Sequence, residues 1–474
     1  MWESILYFYG YTVFFYSLAL IISYVLLLIL AYIRTTRYLH WTNDHICQAV
    51  EGSPFAPGVS IVAPAYNESK TIIDNVNSLL QLDYPNFEVV IVNDGSKDNT
   101  LELLIDYFDL EEVPYEYVQH VHSKPFRRLF RSKNAEYHRL TVVDKVNGGT
   151  KADAVNAGLN VVRTPYFINT DVDCILSRDA IKHCIFPILQ DESIIAVSGT
   201  MSMSNGNTVS DGQLVNIHPA SKPIPLFQDL EYKRSFLIGK MGWSQVNAMN
   251  NVSGGYGLFN TEVVLAAGGY DSSSFAEDMD MITRMIGYCC EQKRPYKVVQ
   301  IPHTCCWTEG PSSIKVLKRQ RIRWGRGLMQ HMWKHRYMLF NPKYKRLGMI
   351  TLPYTLFFEL LAPIIEAIGM LMLLFLLFTN GVNWQSFWVL LAAIYIFSLL
   401  LSSFVIFFDY MPGGSYKHSS SYLKLVIAAI LEPIVYHPLI VFFSIKGYYN
   451  YLTKRSAVWG EMTRTGMKRT PAKP

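Results

Sequence analysis

Two aspartates one residue apart, Asp171 and Asp173, follow the apolar run 166–169 (YFIN). On a strand, positions i and i+2 point the same way, so the pair can reach one Mg2+ or Mn2+ that also takes diphosphate oxygens. A solvated loop is the other reading of this spacing. The adjacent acids Glu277 and Asp278 come later. Asp278 suits a base that takes a proton from an acceptor hydroxyl, with Glu277 as its neighbour; both also suit a helix N-terminus. Asp94, in Asn93-Asp94-Gly95-Ser96, can accept from a uracil N–H or ribose hydroxyls, or can make an ordinary Asx turn. Lys151 follows Gly148-Gly149-Thr150, where glycines allow close backbone approach and the ammonium can reach a diphosphate. The P-loop spacing is absent. Tyr66 and Glu68, in 64–68 (PAYNE), offer a ring to stack on a base and an acid for a helix start, or a mere strand-to-helix turn. Ser253 and Gly254 lie in a small-residue turn ahead of the acid pair. In Gln320-Arg321-Ile322-Arg323-Trp324, arginines can steady a diphosphate and an indole can stack on a sugar face. A basic amphipathic helix on a membrane is the alternative. In this order, the groups are those needed to move a sugar from a nucleotide diphosphate to a hydroxyl.

The elements that must position them are legible around each group. Residues 59–63 (VSIVA) and 88–93 (EVVIVN) are β-branched runs closed by turn-formers, hence buried strands. Between them, 68–82 carries helical spacing at Ile72, Ile73, Val76, Leu79 and Leu80. A strand–helix–strand unit implies parallel pairing. Residues 140–144, 166–169 and 194–199 are further strands, and 151–162 a helix. Ligands of open parallel sheets bind at the carboxyl ends of strands, where Asp94 and Asp171 fall. The expected fold is α/β, nucleotide-sugar-binding, with a mostly parallel sheet. Residues 122–139 (HSKPFRRLFRSKNAEYHR) read as a basic loop between strands.

Hydrophobic residues make up 50% of the 474 and charged residues 17%, below the ~25% of a typical soluble domain. Residues 4–33 and 367–408 contain no Asp, Glu, Lys or Arg. The run 11–33 exceeds the ~20 residues that span a bilayer. Glu3 precedes it, and Arg34 and Arg37 follow, which puts residue 34 inside. Apolar segments at 350–379, 385–408 and 422–447 come after the polar middle. Three crossings would leave the tail outside, yet Lys446, Lys454, Arg455, Arg464, Lys468, Arg469 and Lys473 argue for inside. One segment is therefore expected to be re-entrant or interfacial, or to hold two passes. The resulting division is a membrane helix at 1–35, a cytosolic domain at 53–340, membrane or interfacial helices at 345–450 and a basic cytosolic tail at 451–474. The net charge of +5 does not call for nucleic acid, because the cations flank apolar segments or the site. Seven cysteines, with no CxxC, read as reduced thiols.

The strings PAYNE, VNDGS, GGTKADAVNAG, TDVDC, VSGG, AEDMD, CCWTEGP and QRIRW, in this order before apolar segments, resemble the membrane-embedded, processive family 2 glycosyltransferases. These are the synthases of cellulose, chitin, hyaluronan and poly-N-acetylglucosamine. The likeness covers about 55–340 and continues into the membrane region. It implies a GT-A fold and an inverting enzyme of the cell (plasma or inner) membrane that extends a β-linked polysaccharide from a UDP-sugar. UDP-GlcNAc or UDP-glucose is favoured, with Mg2+ or Mn2+. It implies that Asp94 contacts the nucleoside, Lys151 the uracil or phosphates, Asp171 the donor and Asp173 the metal. It makes Asp278 the base and gives Gln320, Arg323 and Trp324 the acceptor end and diphosphate. The implied partners are the UDP-sugar, the growing polysaccharide and the bilayer, without nucleic acid. No export or regulatory partner is specified. The chain beyond Trp459 is too short for the cyclic-di-GMP-binding domain of bacterial cellulose synthases. Thr150 interrupts the GGKADA spelling of the smaller synthases and leaves the aim of Lys151 open. Tyr354, Trp384, Trp388 and Tyr395 are available to line a channel, or to sit at membrane interfaces. Two other readings compete: transfer of one sugar to a lipid carrier, and a non-catalytic receptor or transporter with a nucleotide-binding domain.

Overall fold

β1 (Val59–Ala65) and β2 (Phe87–Asn93) pair in parallel, joined through the amphipathic helix Ile72–Leu80. In chain order the helices used below are α1 (Trp2–Thr42), α2 (Ile72–Leu80), α3 (Lys151–Leu159), α4 (Ala180–Gln190), α5 (Pro223–Lys233), α6 (Glu277–Glu291), α7 (Ile314–Lys334), α8 (Ala362–Phe378), α9 (Trp384–Tyr410), α10 (Ser419–Leu431) and α11 (His437–Leu452). The computed structural model describes residues 2–42, 53, 55–210, 212–416, 418–454 and 468–469. Cys47 and most of the basic tail, Arg455, Arg464 and Lys473 included, lie outside the described residues.

The remaining strands of the main sheet are β3 (Leu110–Glu112), β4 (Phe126–Ser132), β5 (Leu140–Lys145), β6 (Tyr166–Thr170), β7 (Ile175–Leu176), β8 (Ile194–Met203), β11 (Tyr256–Asn260) and β12 (Lys297–Thr308). Their order is β3-β4-β5-β2-β1-β6-β11-β8-β12-β7. Pairing is parallel through β5-β2-β1-β6 and again between β8 and β12. It is antiparallel elsewhere, so the sheet is mixed rather than mostly parallel. The parallel run comes from the strand–helix–strand units; β11 enters between β6 and β8 from the opposite direction. Ile61, Val89 and Ile91 enter one core layer, and Val62, Val90 and Val92 the other. Both faces are covered, which is why these strands read as unbroken apolar runs.

The basic stretch 122–139 is not only a loop. It contains β4, antiparallel to β5. The apolar neighbours Leu129 and Phe130 are buried in opposite core layers, while Arg128 Nη2 reaches Asp144 Oδ2 at 3.1 Å. Period-two burial holds the strand despite its arginines.

Among the described residues, four helices are long and apolar enough to cross a membrane: Tyr9–His40, Leu347–Phe378, Trp384–Tyr410 and Ser420–Leu452. The first outlasts its expected end at 35, and Tyr38 Oη meets His183 Nδ1 of α4 at 2.8 Å. The second and fourth of these are not uniform α-helix. π-Helical turns occupy Leu347–Thr351, Thr355–Leu360 and Glu432–Tyr436. A third core joins Leu27 and Ala31 of α1 to Phe227 and Leu230 of α5 and to Leu401, Val405 and Leu425 of α9 and α10. Charged pairs reinforce this junction. Lys233 Nζ lies 2.7 Å from Asp409 Oδ1, and Arg234 Nη1 lies 2.9 Å from Glu432 Oε1. Beside the main sheet, β9 (Thr208–Ser210), β10 (Gln213–Val215) and β13 (Lys468–Arg469) form a small sheet in which β13 is parallel to β9.

Candidate active site

Because β1, β2, β5 and β6 run parallel, their carboxyl ends share one edge. That edge receives Tyr66, Asp94, Lys145 and Asp171 from four distant stretches of chain. Asp94 is buried, and its Oδ1 accepts from Lys145 Nζ at 2.5 Å and from the Gly148 amide at 3.0 Å. Lys145, 0% exposed, also pairs with Asp153 Oδ2 at 2.6 Å. A Cβ at residue 95, where φ is +61°, would come within 2.8 Å of the Asn147 nitrogen, so the turn after Asp94 requires glycine. These bonds fix Asp94 through Oδ1. Tyr66 is 43% exposed beside it. Glu68 is used in the turn: its amide donates to Thr100 Oγ1 at 2.9 Å, and its Oε2 accepts from Thr71 Oγ1 at 3.3 Å. That supports the strand-to-helix alternative for Glu68 over donor contact.

Thr150 settles where Lys151 points. It is the N-cap of α3, its hydroxyl accepting from the Asp153 amide at 3.3 Å. Lys151 begins the helix and extends to Asp171 Oδ1 and the Gly254 carbonyl, both at 2.5 Å. Burial works to lower its pKa, but the Asp171 carboxylate outweighs burial and holds the ammonium charged. Asp171 and Asp173 offer carboxylate oxygens that lie, with the Cys174 sulfur, within 4.8 Å of one another. Val172 between them is buried, which leaves the two acids on the same side. Two close carboxylates suit a hard divalent cation; the thiol does not.

The Gly254 turn connects this group to the acid pair. Its carbonyl takes Lys151, while its amide donates to Asp278 Oδ2 at 3.2 Å. Ser253 Oγ accepts from the Gly255 amide at 3.3 Å and braces the same turn. Glu277 and Asp278 open α6, and Asp278 Oδ1 accepts from the Met279 amide at 2.8 Å. Burial, then the neighbouring Asp278, pushes the Glu277 carboxyl up to about 6, against the pull of Arg323 and Lys151. The expected donor lysine, metal pair, acid pair and Arg323 are thus one electrostatic cluster.

Helix α7 carries the last string. Gln320 is buried, and no partner for its Oε1 occurs among the described residues. Arg321 departs from expectation. It makes a two-pronged pair with Glu231 at 2.7 and 2.6 Å and meets Tyr436 Oη at 3.0 Å. Residues two apart on a helix lie about 200° apart around it, so Arg321 and Arg323 face different neighbours. Arg321 serves Trp324 instead, its guanidinium 4.3 Å over the indole. Trp324 is 38% exposed and faces Tyr232, ring centroids 6.4 Å apart.

The sequence reading passed over Lys145, Tyr232 and Lys240. Lys145 had a signal, since it closes a strand just as Asp94 does. Lys240 had none. Its ammonium lies 3.2 Å from Asn251 Oδ1 and 4.3 Å from the Phe236 ring. Burial lowers its pKa to about 8, with Asp278 pulling it back up. The six cysteines among the described residues are free and buried, as expected of reduced thiols.

The chain is similar to known proteins. The model of glycosyl transferase family 2 matches residues 60–240, and that of glycosyl transferase family group 2 matches 227–411. The poly-beta-1,6-N-acetyl-D-glucosamine synthase of Staphylococcus epidermidis is 27% identical over 312 residues, 65% of this chain and 62% of that one. The Staphylococcus aureus synthase of the same description is 27% identical over 272 residues, covering 57% of this chain and 54% of its own. The chain therefore spans about three fifths of the length of these curated relatives. A mannosyltransferase from Pyrobaculum calidifontis, solved in complex with GDP-Man and Mn2+, has 17% identity and a TM-score of 0.50 over 91% of this chain and 100% of its own. That likeness concerns the fold, which is GT-A with four apolar helices added. The two family models overlap at 227–240 and together take in residues 60 to 411, the stretch that carries the acids of the cleft.

Proposed function

We propose that this protein is an inverting, processive polysaccharide synthase that uses a UDP-sugar at the cytosolic membrane face. The observation that carries the reading is the single cluster of Lys151, Asp171, Asp173, Glu277, Asp278 and Arg323, bordered by the exposed ring of Trp324. Asp94 Oδ2 accepts from the nucleoside. Lys151 and Arg323 hold the diphosphate, and Trp324 stacks on the acceptor sugar. The acceptor hydroxyl attacks the anomeric carbon from the side opposite the diphosphate. The new C–O bond forms as the bond to the diphosphate breaks, UDP leaves with the electron pair, and Asp278 takes the hydroxyl proton. Asp173 and Asp171 would hold Mg2+ or Mn2+, which when bound would supply positive charge beside the departing diphosphate.

Similarity to the staphylococcal synthases favours UDP-GlcNAc as donor. Two groups of rings, one beside the site and one against the first membrane helix, favour export of the product. Tyr232 lies between Trp324 at 6.4 Å and Phe236 at 6.0 Å. In the second group, Tyr354 lies 4.7 Å from Trp243 and 5.1 Å from Phe358, which faces Tyr16 of α1 at 5.5 Å. Of the four aromatics expected to line a channel, only Tyr354 belongs to either group. Trp384 and Trp388 are 54% and 59% exposed, as interface residues are, and Tyr395 donates to the Ile430 carbonyl at 2.5 Å.

Our reading of the topology is three crossings in all, by α1, α8 and α9. Arg34 and Arg37 argue for a cytosolic catalytic domain. The pairing of β13 with β9 supports a tail on the same side. After α8 and α9 have crossed out and back, the α10–α11 segment lies along the domain. It meets α5 and its extension through Glu432 and Tyr436, and α7 through Gly447, whose Cβ position is 2.6 Å from the Ile322 carbonyl.

The test is UDP release by the detergent-solubilised protein with Mg2+ or Mn2+ across a panel of UDP-sugars, with the product sized. A long polymer from one donor is expected. A product limited to one sugar on a lipid overturns processivity, and UDP binding without turnover in any membrane preparation overturns the enzyme reading.

A further inference from the structure

The helix that presents Arg323 and Trp324 is also the helix that holds the acid pair. One face of α7 lies against the 271–280 segment almost backbone to backbone: a Cβ at Gly327 would come 2.9 Å from the Ala276 Cβ and 3.1 Å from its nitrogen. Arg326 lies 4.1 Å over the Phe275 ring. One turn further along, Gln330 spans two backbone groups just before the acids. Its Oε1 accepts from the Phe275 amide at 2.8 Å, and its Nε2 donates to the Ser273 carbonyl at 3.0 Å. At the end of the helix, Lys334 bridges Asp271 at 2.6 Å and Asp280 at 2.7 Å. Asp280 is buried and also accepts from His335 at 2.8 Å and Arg284 at 2.8 Å.

The opposite face of α7 is equally close to the membrane-associated helix α11. A Cβ at Gly325 would meet the Ser444 carbonyl at 2.7 Å, and one at Gly447 would meet the Arg326 nitrogen at 2.8 Å. Spacings this short leave no compressible side-chain layer, so α7 cannot shift without moving either α11 or the acid segment.

We propose that Gln330 is a positioning residue: by clamping Ser273 and Phe275 to α7, it fixes Glu277 and Asp278 relative to the acceptor site and ties their placement to the membrane helix behind α7. This inference rests on the acid pair doing the chemistry proposed above. The clamp itself is a structural claim with its own readout.

The experiment compares wild type with Gln330→Met, which keeps the length and removes both hydrogen bonds, and with Gln330→Glu, which keeps the acceptor for the Phe275 amide. Hydrogen exchange of 271–280 is read together with UDP affinity and the pH profile of kcat. In Gln330→Met, exchange at 271–280 rises at least tenfold while 87–93 stays unchanged. UDP affinity remains within twofold, kcat falls at least tenfold, and the acid limb of the profile moves. Gln330→Glu falls between the two, and it carries the test if Gln330→Met does not fold. Unchanged exchange at 271–280 overturns the clamp. Raised exchange with unchanged kcat and acid limb overturns the positioning role. Loss of UDP affinity in step with kcat reduces Gln330 to general stability and overturns the inference as well. Raised exchange in a protein whose wild type turns over no donor leaves the clamp standing and refutes the enzymatic reading instead.

Discussion

Glu277→Gln should make the protein more stable and less active at once. The carboxyl is raised from an ordinary 4.5 to about 6, first by burial and then by Asp278. Each pKa unit is worth about 1.4 kcal/mol, so keeping Glu277 ionised in the fold costs about 2 kcal/mol at most. Solvent at the cleft mouth reduces this to about 1–2 kcal/mol. The sign follows from the direction of the shift. A carboxyl whose folded pKa lies above its unfolded one binds its proton more tightly in the fold. The penalty is therefore absent below about 4.5, grows as pH rises through about 6, and is complete above that. The glutamine variant never ionises. Its melting temperature should exceed wild type by roughly 2–6 °C at pH 7.5, and the two curves should converge by about pH 4.5. The same carboxyl should shape the wild-type rate: if the anion is required, kcat for UDP release at pH 5 is about a tenth of its plateau. Thermal unfolding in detergent across pH 4–8 and a pH–rate profile are the assays. Equal melting temperatures at pH 7.5, or a gap that persists undiminished at pH 4.5, would refute the reasoning.

Further outcomes follow from other contacts. Lys145→Met leaves Asp94 and Asp153 facing each other in a buried site, a loss of about 3–5 kcal/mol; it should lower the melting temperature and weaken UDP binding, as read by calorimetry. Asp173→Asn should raise the Mn2+ or Mg2+ concentration for half-maximal UDP release at least tenfold while leaving the melting temperature within about 2 °C, since one of two cation ligands is lost at a partly exposed position. Arg321→Lys gives up the two-pronged pair with Glu231 and the support under Trp324. Product length should fall with UDP affinity unchanged, whereas Arg323→Lys should weaken UDP affinity.

Much of the fold was legible because the sheet is covered on both faces. Strands expected at 59–63, 88–93, 140–144, 166–169 and 194–199 all appear, extended by a few residues. Asp171 and Asp173 were legible as a closely spaced acid pair, although they lie in the turn that follows β6 and not on the strand itself. The antiparallel insertion of β11 between β6 and β8 was not legible, because no local pattern records which strands meet across 61 or more residues. Nor did local sequence announce β4, whose arginines hide two core residues. Arg321 and Arg323 carry the same charge, and only the docking of α7 decides which one faces the cleft. Lys145 acquires its role from Asp94 and Asp153, partners that only folding supplies.

The junction between domain and membrane is fastened at separate points: Tyr38 to His183, Lys233 to Asp409, Arg234 to Glu432, and Arg321 to Glu231 and Tyr436. Frame and cutting edge are thus one piece, as in a lathe rather than a hinge. A domain bolted down in this way has no swing with which to push its product forward. If the protein polymerises processively as proposed, these fastenings leave the displacement of its product to the cleft, where each added sugar enlarges the occupant and the chain end slides to make room.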